Sequence, residues 1–104
     1  MKRTIKITQE DIDSGIKLHL AYCPIGRAMM REFKIAEDDE RIVQVGTNWL
    51  YVFPNRKTYA SNELMVARAR TPDEAKKFIL DFDKGKPVKP FELVLDFEEP
   101  ENNS

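Results

Sequence analysis

A single cysteine, Cys23, and a single histidine, His19, stand in a chain of 104 residues. One cysteine excludes an internal disulfide, and together with one histidine it falls short of the three or four nitrogen and sulfur ligands that a zinc site takes. The lack of cysteine pairs fits a reducing compartment, and the cytoplasm is the expected location. No apolar run approaches the length of a membrane span, so no membrane contact is expected. The first residues, MKRTIKIT, are basic but lack the apolar stretch of a signal peptide. The phosphate loops G-x-G-x-x-G and G-x-x-x-x-G-K-[ST], the G-x-S-x-G elbow and the H-E-x-x-H zinc pair are all missing. The acidic run Glu37 to Glu40 lacks the spacing and the glycine of a calcium loop, and is read as a solvated loop. No metal, no cofactor and no enzymatic activity are therefore expected. An excess of either charge is lacking too, since 17 Lys and Arg face 18 Asp and Glu for a net charge of −1. That balance argues against a general nucleic-acid binder and against an acidic mimic of DNA, while leaving local patches open.

What is present is a well-patterned, highly charged globular sequence, 41% hydrophobic and 34% charged. The order of periodic segments predicts an α+β domain over residues 1–97, a mostly antiparallel sheet of about five to six short strands with two main helices packed on one face. Residues 98–104 are acidic and contain Pro100, and are expected to form a disordered tail.

The most legible stretch is Thr71 to Phe97. Thr71 is placed as an N-cap, Pro72 at the first helical position and Glu74 at the third, which completes a capping box. Ala75, Phe78, Ile79 and Phe82 share one helical face, and Gly85 supplies the left-handed stop. Phe91, Leu93, Leu95 and Phe97 then alternate with Glu92, Val94 and Asp96, the pattern of a strand with one apolar face.

Earlier in the chain, Thr4 to Thr8 alternates as a short strand. Thr8 and Asp11 form a capping box for a brief helix, Gln9 to Ser14, which Gly15 ends. Ile16, Leu18 and Leu20 are read as an irregular, partly buried connection. A helix is expected from Pro24 to about Phe33, with Ile25, Ala28, Met29 and Phe33 inward and Arg27, Arg31 and Glu32 toward water. Met29 and Met30 are taken as core filling, the commoner use of methionine. Strands are expected at Ile42 to Val45, Trp49 to Phe53 and Lys57 to Ala60, while Leu64 to Ala69 fits strand or helix.

His19 and Cys23 lie four residues apart, but a thiol nucleophile also needs a base in reach and a group to orient that base. Each is read as structural, and an enzyme using Cys23 ranks last. Binding character concentrates between Trp49 and Arg70. Trp49, Tyr51 and Phe53 share a strand face, and Arg56, Lys57, Tyr59, Arg68 and Arg70 follow. Aromatics stack bases and cations meet phosphates, so a nucleic acid or nucleotide ligand is one reading. Trp, Tyr and Arg also anchor protein interfaces, so a protein partner or a second copy in a homodimer is another. An aromatic strand face is more often the underside that packs on helices, and that is the expectation here.

The segments I-T-Q-E-D-I-D-S-G-I, C-P-I at Cys23 to Ile25, and P-D-E-A-K-K-F-I-L-D-F-D-K-G-K-P-V-K-P-F-E-L at Pro72 to Leu93 resemble a group of small proteins of tailed bacteriophages and some bacterial genomes. In that group a cysteine often stands three positions before the one matching Cys23. Leu20 stands there in this chain, which weakens a redox or metal reading. No activity comes with the group. The resemblance implies a non-enzymatic protein that acts in the host cytoplasm by binding a host or viral macromolecule, such as a defence or transcription component.

Overall fold

A computed structural model describes residues 1–56 and 66–99. In chain order the elements are β1 (Lys2–Ile7), α1 (Gln9–Ser14), α2 (Pro24–Glu32), β2 (Ile42–Val45), β3 (Trp49–Phe53), β4 (Ala67–Arg70), α3 (Asp73–Asp83) and β5 (Phe91–Asp96). The fold is α+β, as expected. Its strands form two antiparallel sheets, β1 with β5 and the meander β2-β3-β4. Of Leu64 to Ala69, Val66 is a bend and the residues from Ala67 on are strand, whereas the strand expected at Lys57 to Ala60 lies outside the described residues.

Local signals account for several element ends. Thr8 Oγ1 accepts the Asp11 N–H at 3.2 Å while Asp11 Oδ2 accepts the Thr8 N–H at 3.0 Å, the reciprocal box that starts α1. Helix α3 ends at Gly85, whose φ of +77° lets its N–H reach the Phe82 carbonyl at 3.0 Å and the Lys86 N–H reach Asp81 at 2.9 Å. Its start differs from the sequence expectation. Pro72, not Thr71, is the N-cap, with no side-chain cap. The Thr71 hydroxyl instead donates to the Gly46 carbonyl at 2.7 Å, and its N–H donates to Asn48 at 3.0 Å. A tertiary acceptor in the β2-β3 turn thus takes the group that the local pattern reserves for the helix.

The core is continuous through both sheets. Ile5 and Ile7 from β1, Leu93 and Leu95 from β5, and Phe97 beyond it meet Ile25, Ala28 and Met29 of α2, with Met30 buried as well. Phe33 meets Phe97 edge to face at 5.1 Å. From the meander, Val43, Val45, Leu50, Val52, Ala67 and Ala69 point inward, all buried. Helix α2 packs against both β1 and β2, the two strands that lie at the outside of the assembly. There Arg31 Nη2 donates to the Lys6 carbonyl of β1 at 2.7 Å, and the Leu20 carbonyl accepts the Val45 N–H of β2 at 2.7 Å. Outer strand edges, which invite unwanted pairing when bare, are thus partly capped.

Arg27 and Arg31 do not simply face water. Arg31 holds Asp11 through two bonds of 2.9 and 2.7 Å, and Arg27 Nε lies 3.5 Å from the same carboxylate, which is fully buried. Burial works to raise the Asp11 pKa, but hydrogen bonds from Arg31 and Thr8 outweigh it and hold the carboxyl below its ordinary value. The connection after α1 is irregular, as expected, but not partly buried. Ile16, Leu18 and Leu20 are all exposed, Leu18 in the left-handed region at φ 59° with its N–H donated to Asp83 Oδ1 at 3.0 Å.

Candidate functional site

Among the described residues the two sheets are joined by backbone pairing at one place. Arg68 of β4 and Glu98, two residues past β5, form an antiparallel bridge in which each N–H donates to the other's carbonyl, at 2.9 and 2.8 Å. Glu98, expected in a disordered tail, is therefore paired, and its carboxylate also accepts from Arg68 Nε. The backbone pairing across the seam overrides the acidic composition that follows it.

Pairing registers set the faces of the meander. Leu50 opposes Val45 and Ala69, and Val52 opposes Val43 and Ala67. These small and β-branched side chains are buried, so this face is the core. Trp49 and Tyr51 lie on the opposite, outer face beside Arg70, Arg68 and Gln44 and are half-buried. The expectation that the aromatic face packs under the helices is therefore corrected for its open end. At the other end of the same face, Phe53 and its partner Ile42 are buried.

Geometry on the outer face is tight. The Arg68 and Arg70 guanidinium carbons lie 4.3 and 4.6 Å from the Trp49 ring centroid, within cation–π range. Trp49 stacks on Tyr51 at 6.4 Å and Tyr51 on Phe53 at 5.4 Å. Four of the sequence-predicted residues, Trp49, Tyr51, Arg68 and Arg70, thus converge. Arg56 does not join them. It is spent on carbonyls of the acidic loop, with Nε to Asp39 at 3.1 Å and Nη2 to Glu37 at 3.0 Å, and on the Tyr22 hydroxyl at 3.1 Å. That loop is therefore more than solvated charge, and Arg41 pulls the Asp39 carboxyl down to a pKa of about 2. Lys57 and Tyr59 lie outside the described residues.

Sequence reasoning missed the other wall of the site. Met1, Trp49, Arg68, Arg70, Val94 and Asp96 are among the residues around a cavity of about 530 Å³ along the seam. Val94 is 67% exposed on the polar register of β5. An apolar residue between Glu92 and Asp96 on the solvent side was the available signal.

The titratable pair elsewhere is differently arranged. His19 Nδ1 accepts the N–H groups of Ala21 and Tyr22 at 3.1 and 2.9 Å, so its lone pair is used inside its own loop. Cys23 is buried at the start of α2, and burial pushes its thiol up to about 11 from an ordinary 9.0. Both line an apolar cavity of about 320 Å³ with Leu18, Ile25, Phe78 and Phe82. A shift of that size leaves about a hundredfold less thiolate near neutral pH than an ordinary thiol has. Native protein is accordingly expected to react with a disulfide reagent at pH 7.5 at least a hundredfold more slowly than denatured protein. Comparable rates would show an accessible, activated thiol.

Among the described residues no group of three or more His, Cys, Asp and Glu side chains is arranged to hold a metal, and no helix is long and apolar enough to cross a membrane. No protein-family model matches the chain, and no curated protein or solved structure matches it significantly.

Proposed function

We propose that this is a non-enzymatic binding protein of phage type that contacts a host or viral protein, such as a defence or transcription component, in the host cytoplasm. The contact surface is the outer face of β3 and β4. The observation that carries this reading is the placement of Arg68 and Arg70 over Trp49. Tryptophan, tyrosine and arginine dominate binding energy at protein interfaces, and side chains already held against one another lose less freedom when a partner arrives. A protein partner is favoured over a nucleic acid because the cations here are partly spent. Glu98 compensates Arg68, Asp96 lies along the same cavity, and the Trp49 ring that a base would stack on already carries guanidinium groups.

The test compares immobilised wild-type chain with the double variant Trp49→Ala, Arg70→Glu in lysate of a bacterial host. Wild type is expected to retain a partner in stoichiometric amount, and the variant to lose at least nine-tenths of it while staying folded. Equal retention by both, or no retention by either, contradicts the reading. Salt-sensitive binding of the wild type to a labelled single-stranded oligonucleotide, lost in the variant, would replace the protein partner with a nucleic acid.

A further inference from the structure

Backbone alternation shows that the seam is bordered by hydrogen-bonding groups that no described residue uses. The Phe97 N–H donates to the Met1 carbonyl at 2.8 Å, so Phe97, and by alternation Leu95 and Leu93, turn their backbone groups toward β1. Glu98, one residue on, turns toward β4, where both its groups are bonded to Arg68. The same alternation sends the N–H and C=O of Asp96 and Val94 toward β4. On β4 itself Arg68 faces Glu98, so Arg70, two residues on, faces β5. Continued pairing would join Arg70 to Asp96, yet the ladder does not extend beyond the Arg68–Glu98 bridge and β4 and β5 stay in separate sheets. Past the Arg68–Glu98 bridge the seam opens into the cavity lined by Arg70, Pro72, Val94 and Asp96.

We infer that this opening receives an extended, basic peptide segment of a partner protein, which adds as a strand to the free edge of β5. The inference rests on the binding role proposed above and names the partner's form and charge. Donors and acceptors repeated at every second residue are complementary to another extended backbone, which is how strand addition recognises a peptide. The charge requirement is written on β5. On its outward face Glu92 meets Lys6 of β1 at 3.9 Å, Asp96 opposes Lys2, and Glu98 meets Arg68 across the bridge. Wherever a neighbouring strand exists, it sets a base against each acid. Thr4 opposes Val94 between the two lysines. A strand entering from the seam continues this pattern with a basic residue opposite Asp96 and an apolar one opposite Val94. The Arg70 guanidinium lies over Trp49, on the β3 side, and the Met1 amino group, 3.1 Å away on the β1 side, engages Asp96 Oδ1, so the exposed Oδ2 is the acceptor that such a strand meets. A second copy of this chain is a poor occupant, because β5 against β5 centred on Val94 sets Glu92 opposite Asp96, like charge on like.

The probe is a short acetylated peptide with the repeat lysine–threonine–valine–threonine, added to the full chain and followed by amide chemical shifts. Saturable changes are expected at Arg70, Val94 and Asp96. A peptide N-methylated along one edge, unable to donate to β5, should bind at least tenfold more weakly, as should one with glutamate for lysine. Val94→Pro removes an edge N–H that the β1 pairing does not use, and should lose the peptide while remaining folded. If that variant does not fold, the N-methylated peptide decides alone. Equal binding of the N-methylated peptide, shifts centred elsewhere, or no binding by any of the peptides overturns the inference. Strand addition fails alone if those results accompany partner capture that still depends on Trp49 and Arg70. Loss of that dependence, with peptide pairing intact, sinks the aromatic-face reading instead.

Discussion

Replacing Arg31 with alanine is expected to lower stability by about 3 kcal/mol, far more than an exposed arginine ordinarily contributes. The reason lies with its partner. Asp11 is fully buried, and Arg31 is half exposed, so water recovers the cation but cannot reach the carboxylate left behind. Among the described residues that carboxylate would keep the Thr8 N–H at 3.0 Å and the distant Arg27 Nε at 3.5 Å. Removing one partner of a buried pair typically costs about 3–5 kcal/mol, and the lower end applies because one side of this pair is wet. For a domain of this size such a loss lowers the melting temperature by roughly 12–20 °C. Thermal unfolding of Arg31→Ala against wild type is the measurement, and a shift of only one or two degrees would show that the pair is not desolvated.

The same pair sets an acid dependence. The folded-state pKa of Asp11 lies below its ordinary value of 3.8, so its stabilising contribution is fully present above that value and is lost as pH falls through the folded pKa. Asp11→Asn keeps an oxygen for the cap but carries no charge. The stability gap between wild type and this variant should therefore be constant near neutrality and shrink below about pH 4.

Gly26→Ala is expected to destabilise by about 2–3 kcal/mol, although alanine is the better helix former by about 1 kcal/mol. The sign of the measured change separates the two effects. A Cβ on Gly26 would stand 1.9 Å from the Ala21 carbonyl oxygen and 2.7 Å from its carbon, and backbone cannot rotate away as a side chain can. Relief requires the loop before α2 to move. That loop supplies the Leu20 carbonyl to Val45, and its Leu18, His19 and Leu20 line the same cavity as Cys23, so the variant should also react faster at Cys23. A stabilised Gly26→Ala would mean that the close approach of loop and helix is not maintained in solution.

Signals complete within a few residues were legible in the sequence. Thr8 with Asp11, and Gly85 after Phe82, act on their own turn, and the distant Arg31 adds its bonds to Asp11 without displacing the Thr8 N–H. Thr71 carries the same kind of signal, but the Gly46 carbonyl, 25 residues away in sequence, takes its hydroxyl. The inward face of β3 was not legible for another reason. Trp49, Tyr51 and Phe53 alternate with Leu50 and Val52, and a period of two does not choose between two apolar faces. The neighbours chose, since Val43, Val45, Ala67 and Ala69 pair with Leu50 and Val52 and fill the interior. The convergence of Trp49 with Arg68 and Arg70 follows from that register, whereas the separation of Arg56 follows from carbonyls of the Glu37 to Glu40 loop that no side-chain pattern encodes. The seam was wholly out of reach, because it is a gap between strands distant in the chain rather than a property of either.

Amide hydrogen exchange of the free, full chain tests the open seam most directly. The account predicts an alternation along β5, with slow exchange at Leu93, Leu95 and Phe97, whose N–H groups face β1, and at Glu98, which is bonded to Arg68. Exchange should be fast at Val94, Asp96 and Arg70. Uniform protection from Leu93 through Glu98, with Arg70 equally slow, would mean that the sheets close against each other and would contradict it.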